Sequence, residues 1–265
     1  MSSPASARNA WLASLKQRAI APCSAPRVEL AIGEPPARIG SVEASLAERM
    51  RMAGLPLYAS ASQWRVTAPL DASLAAIAKW LHANRLGGRW RNELLPVTDE
   101  RFELRGAIER AAVRPLGITT FAVHLIAARA DGRVWVQQRA LDKATDPGLW
   151  DTTMGGQVGA GESVADALAR ETWEEAGLTP AQLQDLRKVE RIEFRRPVTE
   201  GYLVEHIDVF EATLADTLTP VNQDGEVQGF ECLAPDALLE RLLDENFTLE
   251  AALILAAWLQ RRRLL

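Results

Sequence analysis

A chain of 265 residues that is 48% hydrophobic and 25% charged has the composition of a globular protein with a sizeable core. A net charge of −5 excludes a global attraction to nucleic acid or anionic membrane, so a bound phosphate would need local cations. Two cysteines, Cys23 and Cys232, are too few for a disulfide framework or a zinc pattern; both read as small buried residues in a reducing, cytoplasmic setting.

Arg8, Lys16, Arg18 and Arg27 precede the first acidic residue, Glu29, but no continuous apolar stretch accompanies them. The opening therefore reads as an amphipathic helix, with Ala10, Trp11, Leu15 and Ile20 on its apolar side, rather than a targeting segment. No run approaches the length of a membrane span. Residues 41–52 read as a helix stopped by Gly54 and Pro56, and residues 63–68 as a short strand. Residues 73–84 read as a second helix, with Leu74, Ile77, Ala78 and Leu81 facing inward and His82 near the negative end of its dipole. In the segment that follows, Trp90 and Leu94 read as packing residues, and Arg89, Arg91 and Arg110 as surface arginines, with contact to a phosphate as the alternative.

From Thr119 the pattern turns to β. Phe121, Val123 and Leu125 alternate, Asp131-Gly132 marks a turn, and Val134, Val136 and Gln138 alternate again. The stretch over 155–178, GGQVGAGESVADALARETWEEAGL, organises the rest. Ser163 and Asp166 form a capping-box pattern, Gly177 stands where a helix stops, and Val164, Leu168, Thr172 and Ala176 form a core-facing row. Glu171, Glu174 and Glu175 then project from one side. Like charges so close are unfavourable unless solvated or shared by a hard cation such as Mg²⁺ or Mn²⁺. Beyond it, residues 189–194 and 204–210 read as strands, 222–227 as an acidic loop, and 235–243 and 249–264 as amphipathic helices.

Gly156, Glu162 and Arg170-Glu171-Thr172-Trp173-Glu174-Glu175-Ala176-Gly177-Leu178 resemble the Nudix box, GX5EX7REUXEEXGU, departing only at Thr172, where the family has a bulky apolar residue. The resemblance implies an α+β fold: a Nudix α/β/α sandwich with a mixed sheet over 113–265, preceded by a smaller α/β domain over 1–112. It implies a diphosphate hydrolase using Mg²⁺ or Mn²⁺, with Glu171, Glu174 and Glu175 as ligands and Gly156 allowing close approach. Arg170 would orient a box glutamate, Glu174 and Glu226 would take part in catalysis, and Glu162 and Gly177 would hold the box together. Arg139 and Lys143 are candidates to face the diphosphate, and Phe121 and Trp150 to stack on a substrate ring.

Residues 88–97 and 109–112, with Gly117-Ile118 and Val123-His124, further resemble the subgroup whose Nudix domain is fused to fungal thiamine pyrophosphokinases. That implies thiamine diphosphate, or its oxidised or damaged analogues, as substrate. Nucleotide derivatives such as NDP-sugars or dinucleotides are the alternative, and a non-catalytic ligand-sensing module is the alternative of another class. Isopentenyl diphosphate isomerase shares the fold, but its reaction relies on a catalytic cysteine, and neither cysteine here falls in a site segment. The expected partner is a small-molecule diphosphate, with no nucleic acid or membrane; a homodimer is one option for the assembly.

Overall fold

A computed structural model describes residues 4–60 and 63–265. Helix α1 (Pro4–Ala19) is followed by β1 (Arg27–Ile32), β2 (Ala37–Glu43), α2 (Ala44–Met52), β3 (Leu57–Ser60), β4 (Gln63–Val66) and α3 (Leu70–Ala83). A hairpin of β5 (Leu94–Thr98) and β6 (Leu104–Glu109) comes next, then β7 (Thr119–Ala128), β8 (Val134–Arg139), β9 (Trp150–Asp151) and β10 (Met154–Gln157). The chain ends with α4 (Val164–Ala176), β11 (Leu183–Val198), β12 (Gly201–Leu214), β13 (Val227–Leu233), α5 (Pro235–Leu243) and α6 (Leu249–Arg261).

Strands β1–β4 form a small mixed sheet in the order β2-β1-β4-β3. Its apolar side chains share one core with α3 and the β5–β6 hairpin: Leu30, Trp64, Leu74, Ile77, Leu95 and Ile108 belong to a single buried cluster. The larger sheet runs β11-β12-β7-β8-β13, with β7 and β12 parallel and the other pairs antiparallel. Because side chains alternate across a strand, β7 sends Val123, Leu125 and Ala127 toward α4 and Ala122, Ile126 and Ala128 toward α6. The sheet is thus covered on both faces.

Three sequence expectations change here. Residues 41–43 extend β2, so α2 is shorter than the periodicity predicts; Val42 is buried against the small sheet's core. The buried side of α1 is Leu12, Leu15 and Ala19 with Trp11 partly buried, whereas Ala10 and Ile20 are exposed. Cys23 and Cys232 are half-buried rather than core residues.

Helix α1, although first in sequence, packs against α6, and Leu12 and Leu15 belong to the same buried cluster as Trp258 and Ile254. Leu15→Ala removes a side chain only 2% exposed and leaves a void against the sheet's distal face. We expect a loss of about 2–5 kcal/mol of unfolding free energy. Urea denaturation followed by tryptophan fluorescence checks this; a loss well under 1 kcal/mol would show that α1 is not an integral part of that core.

Candidate active site

The site originates in a gap in the large sheet. Strands β7 and β8 pair only at Ala128 and Val134 and then diverge. The free edge of β7 is taken by β10, from Met154↔Leu125 to Gln157↔Ala122, while β9 pairs with β8 at Gln137 and Gln138. The link between β9 and β10 crosses the gap through Thr152 and Thr153, both wholly buried. Their hydroxyls serve the backbone there: Thr153 Oγ1 donates to the Trp135 carbonyl at 2.7 Å and accepts from the Ala127 N–H at 2.9 Å, and Thr152 Oγ1 donates to the Met154 carbonyl at 2.8 Å. Above this floor lies a cavity of about 160 Å³.

Helix α4 borders it. Ser163 caps the helix reciprocally with Asp166, and Gly177 ends it at φ 64°, where the left-handed backbone favours glycine. Leu168, Thr172 and Ala176 are buried; the Thr172 hydroxyl finds no partner among the described residues, so the residue serves as apolar volume. Arg170 holds the preceding loop to the helix. Its Nε and Nη2 reach the two Glu162 oxygens at 2.8 and 2.9 Å, Nη2 donates to the Gln157 carbonyl at 3.0 Å, and Nη1 stands 2.9 Å from Glu174 and 2.8 Å from Glu171. Glu162 also accepts the Gly159 N–H at 2.9 Å. Gly156 lies so close to Glu171 that a Cβ there would coincide with the carboxyl group.

Glu175 is 2% exposed and points into the cavity. Its Oε2 accepts from Gln137 Nε2 at 2.8 Å and from the Gly155 N–H at 3.0 Å, and Lys143 Nζ stands 3.9 Å from Oε1. Burial pushes its carboxyl up to about 8 against the pull of these partners. Glu171 is raised too, first by burial, with Arg170 opposing. Glu226 behaves oppositely: burial would raise it, but its hydrogen bond to Lys143, the Lys143 charge and those of Arg91 and Arg110 together hold it below the usual carboxylate range. Farther in, Glu205 accepts from Thr120 Oγ1 at 2.9 Å and Gln157 Nε2 at 2.6 Å, and Glu250 pairs with Arg196 at 3.1 Å. Among the described residues no three acidic, His or Cys side chains already stand as a metal cage. Arg170 holds Glu171 and Glu174, and Lys143 holds Glu226.

The NUDIX domain profile matches residues 119–254. This chain belongs to the NUDIX family. It is 39% identical over 93 residues to an uncharacterized Nudix hydrolase of Pseudomonas aeruginosa, covering 35% of this chain and 55% of that protein. It is 30% identical over 147 residues to the chloroplastic Nudix hydrolase 20 of Arabidopsis thaliana, covering 54% of this chain and 39% of that one. An isopentenyl-diphosphate Delta-isomerase of Leifsonia xyli is 36% identical over 140 residues, covering 51% of this chain and 72% of the isomerase. The chain thus spans about half the length of the Pseudomonas relative and less of the Arabidopsis one.

Within this NUDIX fold, Glu171, Glu175, Glu226, Gly156, Arg139 and Lys143 all line the cavity. Glu174, with 40% of its side chain exposed, lies outside that lining beside Arg170. Arg139 is occupied by its own loop: it donates to the Asp146 and Thr145 carbonyls at 3.2 and 3.0 Å and to Asp151 at 3.3 Å. Neither ring-stacking candidate, Phe121 or Trp150, lines this cavity. Phe121 falls on the α4 face of β7, packed with Phe102 and His206 at centroid distances of 6.0 Å, so the strand's alternation turns it from the cavity. Trp150 packs against the core on the α6 side, with the Arg241 guanidinium 4.7 Å from its ring centroid. Neither cysteine lines the cavity. Sequence reasoning missed Gln137, Gln157, Glu205, Arg196 and Glu250. A polar Gln137 in register with buried Trp135 on the α4 face was the one available signal; the others meet only through the sheet.

The Glu175 shift has a consequence for stability. A carboxyl whose folded pKa is raised binds more protons in the native than in the unfolded state, so its contribution is complete at low pH and is lost as pH rises through about 8. In EDTA, the urea midpoint should fall across pH 5–8, and Glu175→Gln should remove part of that fall. We expect the variant to be more stable than the wild type at pH 8.5 by roughly 1–4 kcal/mol. Superimposable stability–pH profiles would show that Glu175 is not held protonated.

Proposed function

We propose that this chain is a metal-dependent hydrolase of organic diphosphates, splitting the anhydride with water to a monophosphate and phosphate. The observation that carries the reading is the buried Glu175 beside Glu171, Lys143 and Glu226 in one polar cavity. The donor set fits a hard divalent cation: the site's carboxylates are oxygen donors, and burial drives Glu175 and Glu171 toward protonation even against Lys143 and Arg170. Glu171, Glu174, Glu175 and the backbone at Gly156 would hold Mg²⁺ or Mn²⁺. Such an ion supplies charge neutralisation at phosphate oxygens and acidifies a bound water. Arg170 positions the glutamates, and Glu226 is the candidate additional ligand or proton acceptor, with Lys143 setting its charge state. Arg139 fixes the cavity wall, and its remaining charge favours a diphosphate nearby.

As to substrate, the resemblance of residues 88–97 and 109–112, with Gly117-Ile118 and Val123-His124, to the thiamine-linked subgroup supports thiamine diphosphate or its oxidised or damaged analogues, with nucleotide derivatives as the alternative. The likeness to an isomerase of isopentenyl diphosphate favours a second reading. A reaction dependent on a thiol has none in this cavity, however, so the likeness bears on the diphosphate end of the ligand rather than on the reaction. No described helix is long and apolar enough to cross a membrane.

The deciding experiment is phosphate and monophosphate release with Mg²⁺ and with Mn²⁺, over thiamine diphosphate, its oxo and oxy analogues, ADP-ribose, an NDP-sugar and isopentenyl diphosphate. Release from the thiamine set is expected; preference for the nucleotides would refute that substrate, and silence would favour a sensor. Glu174→Gln and Glu171→Gln should each lower kcat by about 100-fold or more, with circular dichroism and Tm preserved.

A further inference from the structure

We propose that Arg91 and Arg110, carried by the N-terminal half of the chain, clamp the terminal phosphoryl group of the substrate. The clamp selects diphosphate monoesters, which end in a free phosphate, over diphosphates substituted at both ends. The inference rests on the diphosphate reading above and adds to it a substrate class.

Both arginines line the same cavity as Glu171, Glu175, Glu226 and Lys143, yet both lie outside the segment that matches the family. Their mounting is firm. The Arg91 N–H donates to the buried Glu109 carboxylate at 2.9 Å, the Arg110 N–H to the Glu93 carbonyl at 2.9 Å, and the Gly88 N–H to the Ala111 carbonyl at 2.9 Å. The backbones entering and leaving the β5–β6 hairpin are thereby tied together beside the cavity.

Their side chains are not equally engaged. Arg110 donates Nη1 to Glu93 at 2.8 Å, leaving the rest of its fork free. The Arg91 guanidinium has no hydrogen bond or ion pair among the described residues, although it stands among the charges of Arg110, Glu226, Glu93 and Arg89. The two guanidiniums stand at one cavity wall with Glu93 and Glu226 as the carboxylates near them, and only Arg110 is bonded to one of these. A planar fork of donors matches phosphate oxygens, and charge-assisted bonds to them are the strong class.

The same lining holds two further guanidiniums, Arg114 and Arg196, with Glu205 and Glu250 among them. A terminal phosphoryl group offers three oxygens and up to two charges to the arginines, whereas each phosphoryl group of a doubly substituted diphosphate offers two oxygens and one charge. No Phe, Tyr or Trp side chain lines the cavity to stack a second ring system.

The test uses the full chain. Calorimetric binding of inorganic pyrophosphate in EDTA and in Mg²⁺ is compared for the wild type, Arg91→Gln and Arg110→Gln, alongside kcat and KM on thiamine diphosphate, ADP and ADP-ribose. Arg91→Gln should keep the wild-type Tm, because the side chain has no partner to lose, and weaken pyrophosphate binding about 10- to 100-fold. It should raise KM for the monoesters by a similar factor with a smaller change in kcat, and leave ADP-ribose nearly unaffected. Wild-type-like pyrophosphate affinity in both variants, or preference of the wild type for ADP-ribose, overturns the clamp. If no substrate is hydrolysed but pyrophosphate binding still depends on Arg91, the hydrolase reading fails and the clamp stands. If hydrolysis proceeds and binding ignores both arginines, the reverse holds.

Discussion

The interaction on which the site depends is the guanidinium of Arg170 among Glu162, Glu171 and Glu174. Three carboxylates within reach of one another repel, and in a half-buried setting that repulsion is poorly screened. A single planar cation with donors on several edges satisfies them together, and it adds the Gln157 carbonyl from the loop. A lysine in its place would supply the charge but not the fork, so it could not grip both Glu162 oxygens while touching the helix glutamates. Through this contact the glycine loop is drawn onto α4 until Gly156 lies against the Glu171 carboxyl. The glycine is thus a steric requirement of the ion pair, not an independent feature.

The second constraint is the divergence of β7 from β8. A continuous ladder would fill the space with backbone; parting after Ala128 and Val134 creates an interior opening whose floor is sealed by the two threonines. Such an opening gives the carboxylates a low-dielectric setting, which is why Glu175 is raised despite three favourable partners. The arrangement sacrifices stability for a poised group: apolar side chains in the same space would be better tolerated by folding, but would offer nothing to a phosphate or a cation.

How much of this was legible in sequence follows the range of each interaction. The α4 cap, its core row and its glycine stop are encoded within a few residues of one another, and they are present as the sequence indicates. The alternation of β7 and β8 marks two strands but not which face each residue takes relative to the cavity, so it does not say that Phe121 lies on the α4 face. Strands β1 and β2 escaped notice because they are short and broken by Gly33, Pro35 and Pro36, and because Ser41-Val42-Glu43 continues smoothly into the α2 pattern. Glu205, Glu250 and Arg196 carry no local signature at all. They approach the box only because β12, the end of β11 and the start of α6 meet at the gap in the sheet.

The N-terminal half is also more closely tied to the site than its sequence reveals. The box loop donates from the Ala160 N–H to the Leu94 carbonyl at 2.8 Å, so the β5–β6 hairpin and the glycine loop share a hydrogen bond. Helix α1 packs on the other side of the large sheet, and the Tyr202 hydroxyl donates to the Ala21 carbonyl at 3.0 Å, fixing the chain as it passes toward the small sheet. The N-terminal chain therefore braces the large sheet from one face and meets the cavity from its edge. Arg91 there is held through its backbone N–H, which donates to the Glu109 carboxylate, rather than by its side chain, which has no hydrogen bond or ion pair among the described residues. That division is what a binding residue requires: the frame bears the cost of positioning, and the charged head keeps its donors for a ligand.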